Sequence, residues 1–103
     1  MEKTLYVKII SKGFYIPAKL KQILKGNHVT IFYNKKTGLI GFQCYDVEQP
    51  NSFEIKEVKN KTGHCWYGIF NIGLVEIFKS EQGKKFYLVK KESDRKFIFA
   101  KEV

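Results

Sequence analysis

Asn27-His-Val-Thr-Ile-Phe-Tyr-Asn-Lys-Lys-Thr-Gly-Leu-Ile-Gly-Phe-Gln-Cys-Tyr45 reads as two strands around a tight turn. Val29, Ile31 and Tyr33 alternate with Thr30 and Phe32, which is the period of two that a pleated strand imposes on its faces. Lys35-Lys36-Thr37-Gly38 is a compact hairpin loop whose glycine accepts a positive φ. Leu39 to Tyr45 returns as the second strand.

The flanks extend this β reading. Upstream, Thr4 to Ile10 alternates, with Leu5, Val7 and Ile9 on one side and Tyr6 and Lys8 on the other. Ser11-Lys12-Gly13 breaks that strand and Phe14-Tyr15-Ile16 follows. Pro17 suits the first turn of a helix. Residues 17–25 then predict a short amphipathic helix, with Leu20, Ile23 and Leu24 on one face and Gly26-Asn27 as its stop. Downstream, Asp46 to Ser52 is a loop, Phe53 to Val58 a strand, residues 59–63 a turn and His64 to Ile72 an aromatic strand. Residues 74–79 are ambiguous, and their β-branched members favour strand. Phe86 to Lys91 and Lys96 to Lys101 form a last hairpin. The expected architecture is mainly β: a small barrel of about seven or eight short antiparallel strands with one short helix. Segments 26–42 and 83–99 align without gaps as a pseudo-repeat of two hairpins, Val29 on Phe86, Ile31 on Leu88 and Phe42 on Phe99.

With 103 residues, 44% of them hydrophobic, the chain suits a single domain spanning 1–103. Its apolar runs fall far short of the roughly 20 residues that cross a bilayer. The N-terminus lacks the features of a signal peptide, so a cytoplasmic protein with no membrane partner is expected. Cys44 and Cys65 are too few for a disulfide scaffold and read as reduced thiols.

Charge is the strongest functional signal. The formal net charge is +9, and eighteen of the nineteen basic residues are Lys, with Arg95 the exception. From Lys3 to Tyr45 there are eight lysines and no acid; from Asp46 onward there are eleven basic and nine acidic residues. A one-signed stretch makes a local positive field that attracts polyanions. Lysine is a hydrated point charge, better at gripping phosphate than at bidentate reading of a base edge. The candidate nucleic-acid-binding residues are therefore Lys8, Lys12, Lys19, Lys21, Lys25, Lys35 and Lys36, with Tyr15 as a base-stacking side chain. Tyr6 shares the lysine-rich neighbourhood of Tyr15, whereas Trp66 reads as core.

Other chemistry is thin. A zinc site would have to draw on His28, Cys44, His64 and Cys65, but His64 and Cys65 are adjacent and point to opposite sides of a strand. No metal and no cofactor are expected. Neither cysteine has a nucleophile elbow or an orienting acid, and no phosphate-cradling glycine loop is present. No catalytic residues are assigned.

Lys8-Ile-Ile-Ser-Lys-Gly-Phe-Tyr-Ile-Pro-Ala-Lys-Leu-Lys-Gln-Ile-Leu24, followed by His28-Val-Thr-Ile-Phe-Tyr33 and Leu39-Ile-Gly-Phe42, resembles the AbrB/MazE/MraZ-type DNA-binding domain. That family runs strand, glycine turn, short Ile-Pro helix, hairpin. The resemblance covers residues 5–43 and implies a swapped-hairpin barrel, usually a homodimer, of the kind found in transcription regulators. It marks Gly13, Ile16, Pro17 and Leu20 as structural and Lys12, Lys19 and Lys21 as near the binding face. Ser11 and Phe14 stand where the family commonly has an acid and an arginine, which shifts the expectation from base reading toward backbone contact.

Three functions are thus in view. The first is a nucleic-acid binder, DNA ahead of RNA, of transcription-regulator or mobile-element type. The second is a protein-interaction module, such as a phage- or plasmid-encoded inhibitor of a host or defence protein or RNA–protein complex, whose basic face meets an acidic protein or RNA-bearing partner. The third is a small basic ribonuclease using His28 or His64.

Overall fold

A computed structural model describes residues 5–101; Lys3 and Thr4, which open the acid-free stretch and the first predicted strand, lie outside them. Strands β1 (Tyr6–Ile10) and β2 (Gly13–Pro17) form a tight hairpin, followed by helix α1 (Ala18–Lys21). The hairpin β3 (His28–Asn34) and β4 (Leu39–Tyr45) comes next, then β5 (Phe53–Glu54), β6 (Lys56–Lys59) and β7 (Cys65–Phe70). Helix α2 (Ile72–Ile77) and a 3-10 turn (Lys79–Glu81) lead into β8 (Lys85–Ser93) and β9 (Lys96–Lys101).

All nine strands belong to one antiparallel sheet in the order β5-β3-β4-β9-β8-β1-β2-β7-β6. The two ends of that order, β5 and β6, are neighbours in the chain, separated by Ile55 alone. Segment 53–59 therefore pairs with β3 at its start and β7 at its finish, and draws the sheet into a nearly closed barrel. The Ile55 N–H donates to the Asn27 carbonyl (2.7 Å) at the seam. The strand predicted over 53–58 is thus two strands, which is why the total is nine.

Period-two alternation fills the barrel. Val7, Phe14, Ile16, Phe42, Phe86 and Phe99 point inward and are fully buried. The Phe42 ring lies 5.0 Å from Phe99 and 6.0 Å from Phe14. Each of these phenyl groups removed would leave a cavity costing about 3–5 kcal/mol. Leu20 and Leu24, on the connection from β2 to β3, are buried against the same core. Leu74 and Phe78 do the same from α2, with the Phe78 ring 5.1 Å from Phe14 and 4.4 Å from Tyr33.

Two expectations are corrected. The helix predicted over 17–25 is a single turn: Pro17 closes β2, and after Lys21 the Leu24 N–H bonds back to Lys21 and the Ile23 N–H to Leu20, tighter i to i+3 turns. Residues 74–79 are helical, not strand. The Asn71 side chain caps α2 by accepting from the Leu74 N–H (3.2 Å), and Leu74 and Phe78, four apart, then share the buried side. Burial of that i, i+4 pair overrides the strand propensity of Ile72, Val75 and Ile77.

Candidate nucleic-acid interface

Because Val7, Ile9, Phe14, Ile16 and Ile69 point inward, their chain neighbours point out. Strand pairing then sets the outward residues in rows. One row runs Lys85, Lys8, Tyr15, Gly68, Lys56 across five adjacent strands. The next holds Tyr87 opposite Tyr6, and Pro17 opposite Trp66 with Val58 beyond. A third carries Ile10, Gly13 and Phe70.

The rings on this surface touch in sequence. Tyr87 lies 5.9 Å from Tyr6, Tyr6 stacks on Tyr15 at 6.4 Å, Tyr15 lies 5.0 Å from Trp66, and Trp66 meets Phe70 edge-on at 5.9 Å. Tyr6, Tyr15 and Trp66 are half-buried and Phe70 is exposed, and none of the four belongs to the core cluster. Trp66, which reads as core from sequence, is an outer-face residue: its pairing with Pro17 puts it on the side opposite Tyr67 and Ile69. Gly68 has a specific job here. The Phe70 ring lies across it, and a Cβ there would sit 2.3 Å from the ring.

Charge surrounds the rings. Lys85 Nζ stands 4.6 Å from the Tyr6 ring centroid, a cation–π distance. Lys8 is opposite Tyr15, and Lys56 is opposite Gly68. Among the described residues, no ion pair engages Lys8, Lys12, Lys56 or Lys85. The outward positions of β1, β2, β7 and β6 hold no acid; Glu57 turns the other way and accepts a 3.4 Å hydrogen bond from the Tyr67 hydroxyl. Burial pushes the Tyr15 phenol above its ordinary value, the nearby Tyr6 adds to this and Lys85 partly opposes it. Tyr15 is therefore a neutral O–H donor at physiological pH.

No protein-family model, curated protein or solved structure matches the chain. The geometry of this face is accordingly the basis for any functional reading.

The lysines singled out by sequence do not all converge. Lys8 and Tyr15 lie in the same row, and Lys12 is on the β1–β2 turn beside Gly13. Lys19, Lys21 and Lys25 belong to the connection that closes one mouth of the barrel, where Lys21 Nζ stands 5.5 Å from the Tyr67 ring. Lys35 and Lys36 sit at the tip of the β3–β4 hairpin, across the barrel from β1 and β2 in strand order. Conversely, Lys56, Trp66, Phe70 and Lys85 were missed. The alternation Trp66, Gly68, Phe70 is visible in sequence, but β7 is aromatic or apolar on both faces, so its outward side is decided only by pairing with β2.

His28 is half-buried on β3, His64 is exposed in the β6–β7 turn, and Cys44 is buried on β4. Burial pushes the Cys44 thiol up to about 11, partly offset by a hydrogen bond with the Lys25 backbone. That thiol stays protonated and unreactive at neutral pH.

Proposed function

We propose that this chain binds nucleic acid through the outer face of β8, β1, β2, β7 and β6, and acts as a binder rather than an enzyme. The observation that carries this reading is the row Lys85, Lys8, Tyr15, Gly68, Lys56: three lysines without ion-pair partners, in register on an acid-free aromatic surface. Such lysines release condensed counterions when they meet phosphates. Lys12 adds charge on the β1–β2 turn, and Lys19, Lys21 and Lys25 add further cations on the connection from β2 to β3. A role of transcription-regulator or mobile-element type is consistent with a protein that holds phosphates and reads few bases.

The test is a salt series with labelled oligonucleotides. Changing Lys8, Lys56 and Lys85 together to Gln lowers the slope of log affinity against log salt by about 2–3, at roughly 0.7–0.9 per phosphate contact. An unchanged slope removes the face from the binding surface. Incubated RNA stays intact; cleavage that disappears in His28→Ala or His64→Ala would favour a ribonuclease instead.

A second reading has its own observation. Across the barrel, Phe32, Leu39, Gly41 and Ile98 line an apolar hollow of about 300 Å³ with Glu92 and Lys96 on its rim. Phe32 is 53% exposed there. That surface suits a protein-interaction module. A stoichiometric protein partner that survives nuclease and high salt, and is released by Phe32→Glu, would favour it.

A further inference from the structure

We infer that the ligand of the aromatic face is a single-stranded nucleic acid whose bases stack on Tyr6, Tyr15, Trp66 and Phe70, an inference that rests on the binding role proposed above. Four rings lie in consecutive contact at 5.0–6.4 Å, yet none is in the core. Burying these rings in the barrel would have stabilised the fold; instead Tyr6, Tyr15 and Trp66 are half-buried and Phe70 exposed on its outer surface. Gly68 keeps the Phe70 ring flat on the sheet, where any larger residue would lift it.

Width separates a single strand from a duplex. The row from Lys85 to Lys56 crosses four inter-strand spacings, about 19 Å of sheet at ~4.8 Å each. A major groove is roughly 12 Å wide and admits a two-stranded ribbon or a helix, not a five-stranded face. Within a duplex the base faces are stacked on each other, so rings on a broad surface have nothing to stack on. An unpaired strand offers its base faces freely, and aromatic residues on a sheet with flanking cations are a general solution for holding it. Lys85 and Lys56 bracket the rings on either side, so the phosphates of a strand crossing β8 to β6 meet a cation at both ends of the row.

RNA and DNA single strands share this chemistry, and the experiment separates them. Trp66 is the only tryptophan, so its fluorescence reports from within the site. The full chain is titrated at low salt with a 12-nucleotide oligo-U, an oligo-dT of equal length, and a 12-base-pair duplex. Tyr15→Leu, which keeps bulk and removes the π-face, is measured beside it, with a thermal melt to confirm its fold. Trp66 emission is quenched by one or both single strands, which bind at least tenfold tighter than the duplex. Tyr15→Leu weakens single-strand binding roughly 5-fold to 100-fold and leaves the salt slope unchanged. Duplex bound as tightly as the single strands, with Trp66 emission unchanged, overturns the inference and leaves phosphate binding standing. No binding to any of the three overturns both.

Discussion

Two regions of this molecule carry lysines in comparable number and treat them oppositely. On the outer face of β6, β7, β2, β1 and the start of β8, Lys85 stands over the Tyr6 ring, Lys8 is opposite Tyr15 and Lys56 opposite Gly68, and among the described residues none of the three is ion-paired. On the β8–β9 hairpin and its surroundings, nearly every cation has an anion. Lys91 pairs with Asp94 (3.6 Å), Lys96 with Glu92 (3.8 Å), and Arg95 with Asp46 (2.8 Å), while Arg95 also donates to the Lys25 carbonyl (3.2 Å). Paired surface charges cancel within a Debye length, whereas an unopposed cluster projects a field. Similar numbers of lysine therefore give one surface whose positive charge is unopposed and one whose charge is largely offset.

Charge reversal is the largest way to break that contrast. Lys8, Lys56 and Lys85 changed together to Glu abolish oligonucleotide binding in a mobility-shift assay, while Lys91, Lys96 and Lys101, each paired with an acid, changed to Glu shift affinity by no more than about threefold, since their charges are already offset. Equal losses from both triples would mean that net charge, not the face, drives binding. Trp66→Ala comes next, with a loss of roughly 5-fold to 100-fold for single strands and a melting temperature close to wild type, because the indole is outside the core. Gly68→Ala sharpens the picture further. Its methyl displaces the Phe70 ring, and binding falls by about fivefold, the low end of one lost stacking contact; an unchanged affinity would show that Phe70 takes no part.

On the paired side the effects are smaller and fall on stability. Asp46→Asn removes the partner of Arg95, costs under about 1 kcal/mol in a denaturant melt because the pair is exposed, and leaves binding untouched. The Cys44 thiol sets an alkaline limit. Its value rises from 9.0 unfolded to about 11 folded, so the unfolded chain loses that proton first as pH rises. Its contribution to stability is complete below about pH 9 and fades between pH 9 and 11. A Cys44→Ala variant, whatever its baseline stability, lacks this part of the alkaline decline. At the acid end, a hydrogen bond from Lys101 holds the Glu81 carboxyl below its usual range; burial opposes it, and a hydrogen bond from Lys84 adds to the lowering. The stability it contributes is present above pH 4.5 and is lost as pH falls below that.

Much of this was legible from residues. Alternation at Leu5, Val7 and Ile9 placed β1, and Lys35 to Gly38 placed the β3–β4 turn, because strand period and turn chemistry are local properties. The β-branched residues over 74–79 pointed to strand; the barrel interior, which takes Leu74 and Phe78 together, decided for helix. Tyr15 and Lys8 were read together from sequence and lie in one row. Lys19, Lys21, Lys25, Lys35 and Lys36 were joined to them only by sequence proximity, and closing the barrel sent them to its mouth and to the opposite hairpin.

The sequence by itself determined a small, basic, mainly β chain, with its excess charge in lysine and its aromatics in alternating strands. Composition and period depend only on the order of residues. The tertiary structure alone decided that residues 53–59 bridge two sheet edges, that β7 lies against β2 with Trp66 outward, and that Lys56 and Lys85 come into row with Lys8. The pairings of β2 with β7 and of β1 with β8 join strands about fifty or more residues apart, and that of β3 with β5 residues about 25 apart. Side-chain period says which residues share a face, but which face meets water is settled only when the sheet closes around its core.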